Sequence, residues 1–327
     1  MFSIEIALVS WPLRMPFTIS RETMYEIEAV MVKITDFSGN VGVAEAVGVG
    51  HAGETASSII LQLEAVRPKI NGNLTKAALQ ALLPPGGARN ALDCAMWDLE
   101  ANRSGVPCWK TAGLDKLTPQ KTAFTLGIMS EADLRRSAFE KRDFGLLKVK
   151  TNRAHGLDPV RIVHEIASHA EIIVDPNEDW TAEDLEHYGP LLRQLGVVLL
   201  EQPVSHECDD ILSKLVVPVP VAADEAFIDS TSIAKLVGKY QVLNIKLDKT
   251  GGLTEALRCV EIGRSHNFGL MVGCMAGSSL AMAPATIIAQ NCAFVDLDGP
   301  LLQTSDCPHP IAFTNGYIGT PSSSLWG

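Results

Sequence analysis

The sequence predicts an α/β chain, a closed parallel β/α barrel preceded by a smaller α+β region, and three observations carry that prediction. Polar stations recur down the chain at nearly constant spacing: Lys148-Val149-Lys150, Asp175, Glu201, Asp224, Lys246 and Asp296-Leu297-Asp298. Counted from Lys150, the intervals are 25, 26, 23 and 22 residues, followed by 50 to Asp296, which leaves room for one more station near Gly273. One strand, one helix and two short loops fill such an interval. All but one station end a short run that is apolar throughout rather than alternating, as strands covered on both faces must be. Amphipathic, helix-sized segments separate the runs.

In chain order, Glu26 to Thr35 alternates as a strand, Phe37-Ser-Gly-Asn40 is a turn, and the chain from Val41 returns as the strand's partner. Helices are expected over Thr55 to Val66 and Ala88 to Arg103. In the second, Ala91, Leu92, Ala95, Met96 and Leu99 form a core stripe that Gly105-Val-Pro107 ends. These elements make a unit over residues 1–117. The barrel follows over 118–300. Its strands are Thr122 to Ile128, Gly145 to Lys150, Glu171 to Asp175, Val197 to Glu201, Val219 to Asp224 and Val242 to Lys246, then a seventh ending near Gly273 and an eighth at Asp296. Between them, Ser130 to Phe144 opens with a Ser-x-x-Asp cap, Pro159 to His169 puts Val160, Val163, Ile166 and Ala167 on one stripe, and Gly252 to His266 repeats the pattern. Residues 301–327, with Pro308, Pro310 and Pro321, are expected to pack back on the first unit.

The stations lie at strand C-terminal ends, the face where barrel enzymes place their chemistry. In a ring of eight, strands two and six face each other, so Lys150 and Lys246 stand on opposite walls of one mouth, with Asp175, Glu201 and Asp224 between them on one side. Three carboxylates on adjacent strands repel one another unless a hard cation joins them. Mg²⁺ is the first expectation and Mn²⁺ the substitute; no His or Cys stands at those three strand ends, which argues against zinc. Taken singly, each acid would instead read as a solvated loop residue or a helix cap. Lys148, on the same side of its strand as Lys150, is a like charge that favours the neutral form of its neighbour; the alternative for Lys-x-Lys is a solvated edge or a phosphate patch. One neutral and one protonated lysine on opposite faces of a carbon remove a proton on one side and deliver one on the other, giving the epimer. Asp296 and Asp298 face one side at period two and await a cation set apart from the reacting carbon, as the N-terminal ammonium of a dipeptide is.

These stretches together carry a family resemblance: Leu147-Lys-Val-Lys150, Ile173-Val-Asp-Pro-Asn-Glu178, Leu200-Glu-Gln-Pro203, Ala223-Asp-Glu225, Asn244-Ile-Lys-Leu-Asp-Lys-Thr-Gly-Gly-Leu253, Gly273-Cys-Met275 and Asp296-Leu-Asp-Gly-Pro300. The chain resembles the enolase superfamily, muconate lactonizing subgroup, and within it the L-Ala-D/L-Glu dipeptide epimerases. The resemblance implies a modified TIM barrel, (β/α)7β, with an N-terminal α+β capping domain. It implies that Lys150 and Lys246 are the acid/base pair, that Asp175, Glu201 and Asp224 bind Mg²⁺, and that Asp296 and Asp298 hold the dipeptide ammonium; lysine bases with Mg²⁺ are known for this superfamily. It further implies specificity loops at about 14–21 and 47–54 and a role in cell-wall peptide metabolism. Arg21 and Thr125 are candidates for a substrate carboxylate, and Cys274 and Met275 for the pocket wall. Two features depart from the family's pattern: Gly48-Val-Gly-His-Ala-Gly53 lacks aromatic residues, and Pro176 follows the metal-binding Asp. Dipeptides other than Ala-Glu therefore stay open.

An N-acylamino acid racemase or a cycloisomerase/dehydratase of the same subgroup is the nearest alternative, and the Asp296/Asp298 pair argues against it because such substrates carry no ammonium there. A Schiff-base aldolase using Lys150 or Lys246, and a non-catalytic binding barrel, are the more distant ones. For Glu225 the choice lies between orienting a lysine and plain exposure, for His51 between a lid contact and the surface, and for Asp248 with Lys249 between a local ion pair and support of the site. The 327 residues suit two compact units. A net charge of −11 without a basic stripe excludes nucleic acid and anionic membranes as partners. Met1 to Trp11 has no basic start before a long apolar run, so neither leader nor membrane span is expected and the cytoplasm is the default. Seven cysteines without a Cys-x-x-Cys pair suit reduced thiols. Oligomeric state stays open, a homo-oligomer included.

Overall fold

The computed structural model describes residues 3–71 and 74–327; the first two residues of the Met1 to Trp11 stretch, and of the 1–117 unit, lie outside them. The chain begins with an antiparallel sheet in the order β1 (Ser3–Thr18), β2 (Thr23–Thr35), β3 (Val41–Val47). β2 buries Ile27, Ala29, Val30, Val32 and Ile34, and the turn before β3 is fixed by Asp36, whose carboxylate accepts the N–H groups of Ser38 and Asn40. β1 was not foreseen. It is an edge strand carrying Pro12 and Pro16, its pairing slips between Pro12 and Phe17, and its alternation changes phase, with Ile4 and Ile6 inward and then Val9, Trp11 and Leu13. As a result, Arg14 to Thr18 belong to a strand rather than to the loop expected over 14–21, and only the bend at 19–22 connects β1 to β2.

Helices α1 (Ala56–Val66), α2 (Lys76–Leu82) and α3 (Gly87–Ser104) complete this unit. Thr55 caps α1 by accepting the Ser58 N–H. Gly105, in the left-handed region at φ 69°, ends α3 as expected. α3 lies directly on β3: a Cβ built on Gly42 would stand 2.1 Å from the Ala95 carbonyl oxygen and 2.5 Å from the Leu99 nitrogen.

Eight parallel strands follow: Phe124–Leu126, Leu146–Lys150, Glu171–Asp175, Val197–Glu201, Val221–Ala223, Val242–Ile245, Gly269–Val272 and Phe294–Val295. Each pairs with the next in sequence order, and the Ala123 N–H donates to the Val295 carbonyl at 2.8 Å, joining the first strand to the last. The fold is the modified TIM barrel, and strands two, three and four end on Lys150, Asp175 and Glu201. Helices Glu131–Glu140, Asp158–Ile166, Ala182–Leu192, Leu253–Ser265 and Ser279–Ala289 cover it. Strands four and five are joined instead by a 3₁₀ segment, Asp209–Ser213, and strands five and six by the four-residue helix Ile233–Leu236. Pro218 and Pro220, just before strand five, remove the N–H donors a longer helix would need.

The two parts are locked together by buried polar contacts. Glu45 on β3 accepts the Ser278 N–H at 2.7 Å and its hydroxyl at 2.8 Å, and Asp93 on α3 accepts the Thr254 N–H at 2.9 Å. Arg89 donates to the carbonyls of Thr250 and Gly251. The C-terminal stretch lies across α3: Trp326 Nε1 donates to the Cys94 carbonyl and the Gly327 N–H to Asp98. No helix among the described residues is long and apolar enough to cross a membrane.

Gly42→Ala forces backbone apart at the β3–α3 contact, so we expect a loss of about 1–3 kcal/mol in urea denaturation; a change below about 0.5 kcal/mol would mean that β3 and α3 separate freely.

Candidate active site

The strand ends converge on a cavity of about 380 Å³, closed on one side by the barrel and on the other by the turn at 19–22, β2 and the segment Val47 to Thr55. Thr125, Lys148, Lys150, Asp224, Lys246, Cys274, Met275, Asp296 and Asp298 line it from the barrel, and Arg21 and His51 from the cap. The period-two stagger of each strand turns Lys148 and Lys150 to the same side.

Lys148 holds the floor. Fully buried, its ammonium lies 3.0 Å from Asp175 Oδ2, 2.8 Å from Glu201 Oε2 and 2.8 Å from Asp296 Oδ2. Burial alone would lower its pKa, but the charges of Asp296, Glu201 and Asp175 outweigh that and hold it well above the usual lysine value. Lys150 shares Asp175 Oδ2 at 2.6 Å, so the two lysines meet on one oxygen, and it also donates to Asn177 Oδ1 at 2.9 Å. On the other wall Lys246 donates to Asp224 Oδ2 at 2.7 Å, and Asp224 holds it protonated well above its usual range against the pull of burial.

The three carboxylates of strands three to five are buried to within 2 %. Burial pushes each upward. For Asp175 the charges of Lys150 and Lys148 win, and for Asp224 those of Lys246 and Lys249, so both sit below the usual carboxylate range. Glu201 is the residual: burial, then the Asp175 charge, raise it to about 8. Its Oε2 makes no aligned hydrogen bond despite the nearby Lys148. Among the described residues no three His, Cys, Asp or Glu side chains converge closely enough to form a ready-made metal cage, because the lysine ammoniums stand between the carboxylates. The donor set of hard, buried oxygens, with one of them unpartnered and its acid driven toward protonation by its neighbours, fits a divalent cation such as Mg²⁺.

Asp296 and Asp298 stand side by side on the far wall. Thr125 is spent on them: its N–H donates to Asp298 at 2.6 Å and its hydroxyl to Asp296 at 3.2 Å, which leaves that hydroxyl committed rather than free for a substrate carboxylate. Asp296 is not isolated across the ring from the other acids, since Lys148 bridges it to Glu201. Burial, then the Asp296 charge, raise Asp298 to about 7. Arg21 is engaged by Glu225, by Glu178 at 2.9 Å and by the Asn177 carbonyl. The Cys274 thiol is raised by burial and then by the Asp296 and Asp298 charges, which leaves it un-ionised as a wall group. His51, exposed, forms part of the rim.

Sequence reasoning missed three contributors. Asn177 touches Lys150, and Asn244 donates to Glu201 Oε1 at 2.9 Å; its period-two spacing from Lys246 was the available signal. Gln202 accepts the N–H groups of Asp224 and Ala226 and so shapes the end of strand five. Lys249 pairs not with Asp248 but with Asp224 Oδ1 at 2.6 Å, while Asp248 accepts the Val47 N–H and Asn90. Glu225 is buried, not exposed, and meets Arg21 and Asn177.

Comparison with known proteins places this geometry. Residues 131–324 match the family described as Enolase C-terminal domain-like, and residues 1–113 the mandelate racemase/muconate lactonizing enzyme N-terminal domain. The chain belongs to the enolase superfamily. This superfamily member is 36% identical to the L-Ala-D/L-Glu epimerase of Escherichia coli K12 over 97% of its own length and 99% of that protein. It is 38% identical to the N-acetyl-D-glutamate racemase of a Pseudoalteromonas species over 88% of this chain and 91% of that one. A crystal structure from Agrobacterium tumefaciens, an enolase-family member with homology to dipeptide epimerases bound to sodium and L-Ala-L-Glu, superposes over all of both chains with TM-score 0.97 and 36% identity. The dipeptide epimerase of Methylococcus capsulatus, complexed with Mg and L-Arg-D-Lys, superposes with TM-score 0.86 and 26% identity over 97% of this chain and 96% of that one.

Lys148→Met leaves buried carboxylates without their cation. We expect a loss of about 3–5 kcal/mol in urea denaturation at pH 7 without added metal. A loss below about 1 kcal/mol would mean that these acids carry no buried charge.

Proposed function

We propose that this chain is a Mg²⁺-dependent dipeptide epimerase, an isomerase that inverts the α-carbon of the C-terminal residue of an L-Ala-D/L-Glu-type dipeptide by two-base proton transfer. The observation that carries the reading is the pair Lys150 and Lys246, both buried, on facing strands, and lining one cavity. Lys246, held protonated by Asp224, is the acid in one direction. Lys150 is the complementary base, with the like charge of Lys148 beside it on Asp175 Oδ2. Asp175, Glu201 and Asp224 would hold Mg²⁺, with Mn²⁺ as substitute. When bound, the cation stabilises the negative charge that develops beside the reacting carbon.

Asp296 and Asp298, oriented by Thr125, receive the N-terminal ammonium of the dipeptide. Cys274 and Met275 wall that end, and Arg21 stands at the opposite rim, where a side-chain carboxylate would arrive. Residues 1–117 act as the cap, 118–300 as the catalytic barrel and 301–327 as a strap returning to the cap, and we place the enzyme in the cytoplasm. Likeness to the N-acetyl-D-glutamate racemase favours a second reading, racemisation of an N-acylamino acid. The Asp296/Asp298 pair opposes it, because an acyl substrate has no cation to offer these buried acids.

Proton NMR in D₂O with Mg²⁺ decides between them: loss of the second residue's α-proton in L-Ala-L-Glu, with the L,D diastereomer appearing, supports the proposal, and exchange in N-acetylglutamate alone replaces it with the racemase. EDTA should abolish turnover and Mg²⁺ restore it; turnover that persists in EDTA points to Schiff-base chemistry. Because burial and then the Asp296 charge raise Asp298 to about 7, dipeptide KM should fall as pH rises from 6 toward 7.5, before the substrate's own ammonium is lost at about 8, and Asp298→Asn should raise KM and flatten that dependence. An unchanged profile in the variant would remove Asp298 from ammonium binding.

A further inference from the structure

The two lysines are not held alike. Lys150 donates to two acceptors, Asp175 Oδ2 and Asn177 Oδ1, whereas among the described residues Lys246 meets only Asp224 Oδ2. A neutral amine has two hydrogens and one lone pair. Once both hydrogens are committed to Asp175 and Asn177, the lone pair of Lys150 is aimed along the one remaining direction, and Lys150 lines the cavity. With Asp175 as sole acceptor the amine would rotate about its last bond, and the lone pair would have no fixed direction.

Asn177 is itself clamped, and the clamp comes from the cap. Its backbone takes the left-handed conformation, φ 47°, and its N–H donates to Asp175 Oδ1 at 2.9 Å. Its carbonyl accepts from Ser20 Oγ at 3.2 Å and from Arg21 Nη1 at 3.3 Å, both on the turn between β1 and β2. Its side-chain amide donates to Glu225 Oε1 at 3.3 Å, the same oxygen that Arg21 Nη2 engages. Asn177 is 6 % exposed and Glu225 4 %, so the barrel end of this network is shielded from water. A continuous path therefore runs from the cap turn through Arg21, Glu225 and Asn177 to Lys150, and among the described residues no hydrogen-bonded path from that turn ends on the Lys246 ammonium.

We propose that Asn177 is a positioning residue that aims Lys150, and that docking of the cap turn at 19–22 sets the competence of this one base. The proposal rests on the two-base reading above. Its test is α-proton exchange with retention in D₂O and Mg²⁺, started separately from L-Ala-L-Glu and from L-Ala-D-Glu and measured before epimerisation accumulates. Asn177→Gly is the informative variant, since glycine accepts the positive φ without strain. We expect exchange from one diastereomer to fall by roughly 10- to 100-fold, the scale of a misaimed catalytic group, while exchange from the other stays within about threefold. Ser20→Ala, which removes one bond to the Asn177 carbonyl and leaves the Asn177 side chain and Arg21 in place, should give a smaller loss on the same side, and it remains a test if Asn177→Gly does not fold. Equal losses from both diastereomers overturn the proposal, because a general structural role slows both. If the wild-type protein exchanges neither, the two-base reading has failed rather than this inference.

Discussion

The structure depends on one buried ammonium. Lys148 Nζ bridges Asp175, Glu201 and Asp296, carboxylates contributed by the third, fourth and eighth barrel strands, at 2.8–3.0 Å. Without that charge three strand ends of like sign would face one another in a medium that screens poorly. Together with Lys150 it keeps Asp175 ionised, Lys246 and Lys249 do the same for Asp224, and of the carboxylates Asp175, Glu201 and Asp224 only Glu201 is driven up, to about 8. The site is therefore an arrangement of charges that nearly cancel, and a divalent cation entering it would relieve the acid that remains unbalanced.

The second constraint is the seam between cap and barrel. The contacts that close it fall on the loops that carry the chemistry: Arg89 and Asp93 hold the chain just beyond Lys246, and Glu45 holds the turn just beyond Cys274 and Met275. Buried hydrogen-bonded charges are costly to leave unpaired, so the cap cannot lift from these loops without a large penalty. The turn at 19–22 is different. It reaches the barrel through Ser20 and Arg21, and Arg21 is one-third exposed on its side chain, so solvent and substrate can influence this part of the cap.

Much of this was legible in the sequence, and the parts that were not have physical reasons. Regular spacing found the strand ends at Lys150, Asp175 and Glu201 to the residue, because parallel strands covered on both faces have uniform apolar runs and a charged residue stops them abruptly. β1 escaped notice because its alternation changes phase at Leu8 and Val9 and its two prolines read as breakers of a strand. The commitments of Thr125 and Lys249 escaped for another reason: both side chains are satisfied by residues far away in sequence, Asp296 and Asp224, and no local pattern records such a partner. Asn177 was hidden by its neighbour, since the acid of Asp-Pro-Asn draws attention and the asparagine's role depends on a left-handed backbone that spacing does not reveal.

The central claim is that Lys150 and Lys246 act on opposite faces of one carbon. The most direct measurement replaces each lysine by methionine in turn and follows α-proton exchange in D₂O from each diastereomer of Ala-Glu. The account predicts that neither variant epimerises and that each still exchanges one diastereomer with retention, the two variants keeping opposite ones. Exchange of both diastereomers by a single-lysine variant would contradict it, because one base would then reach both faces.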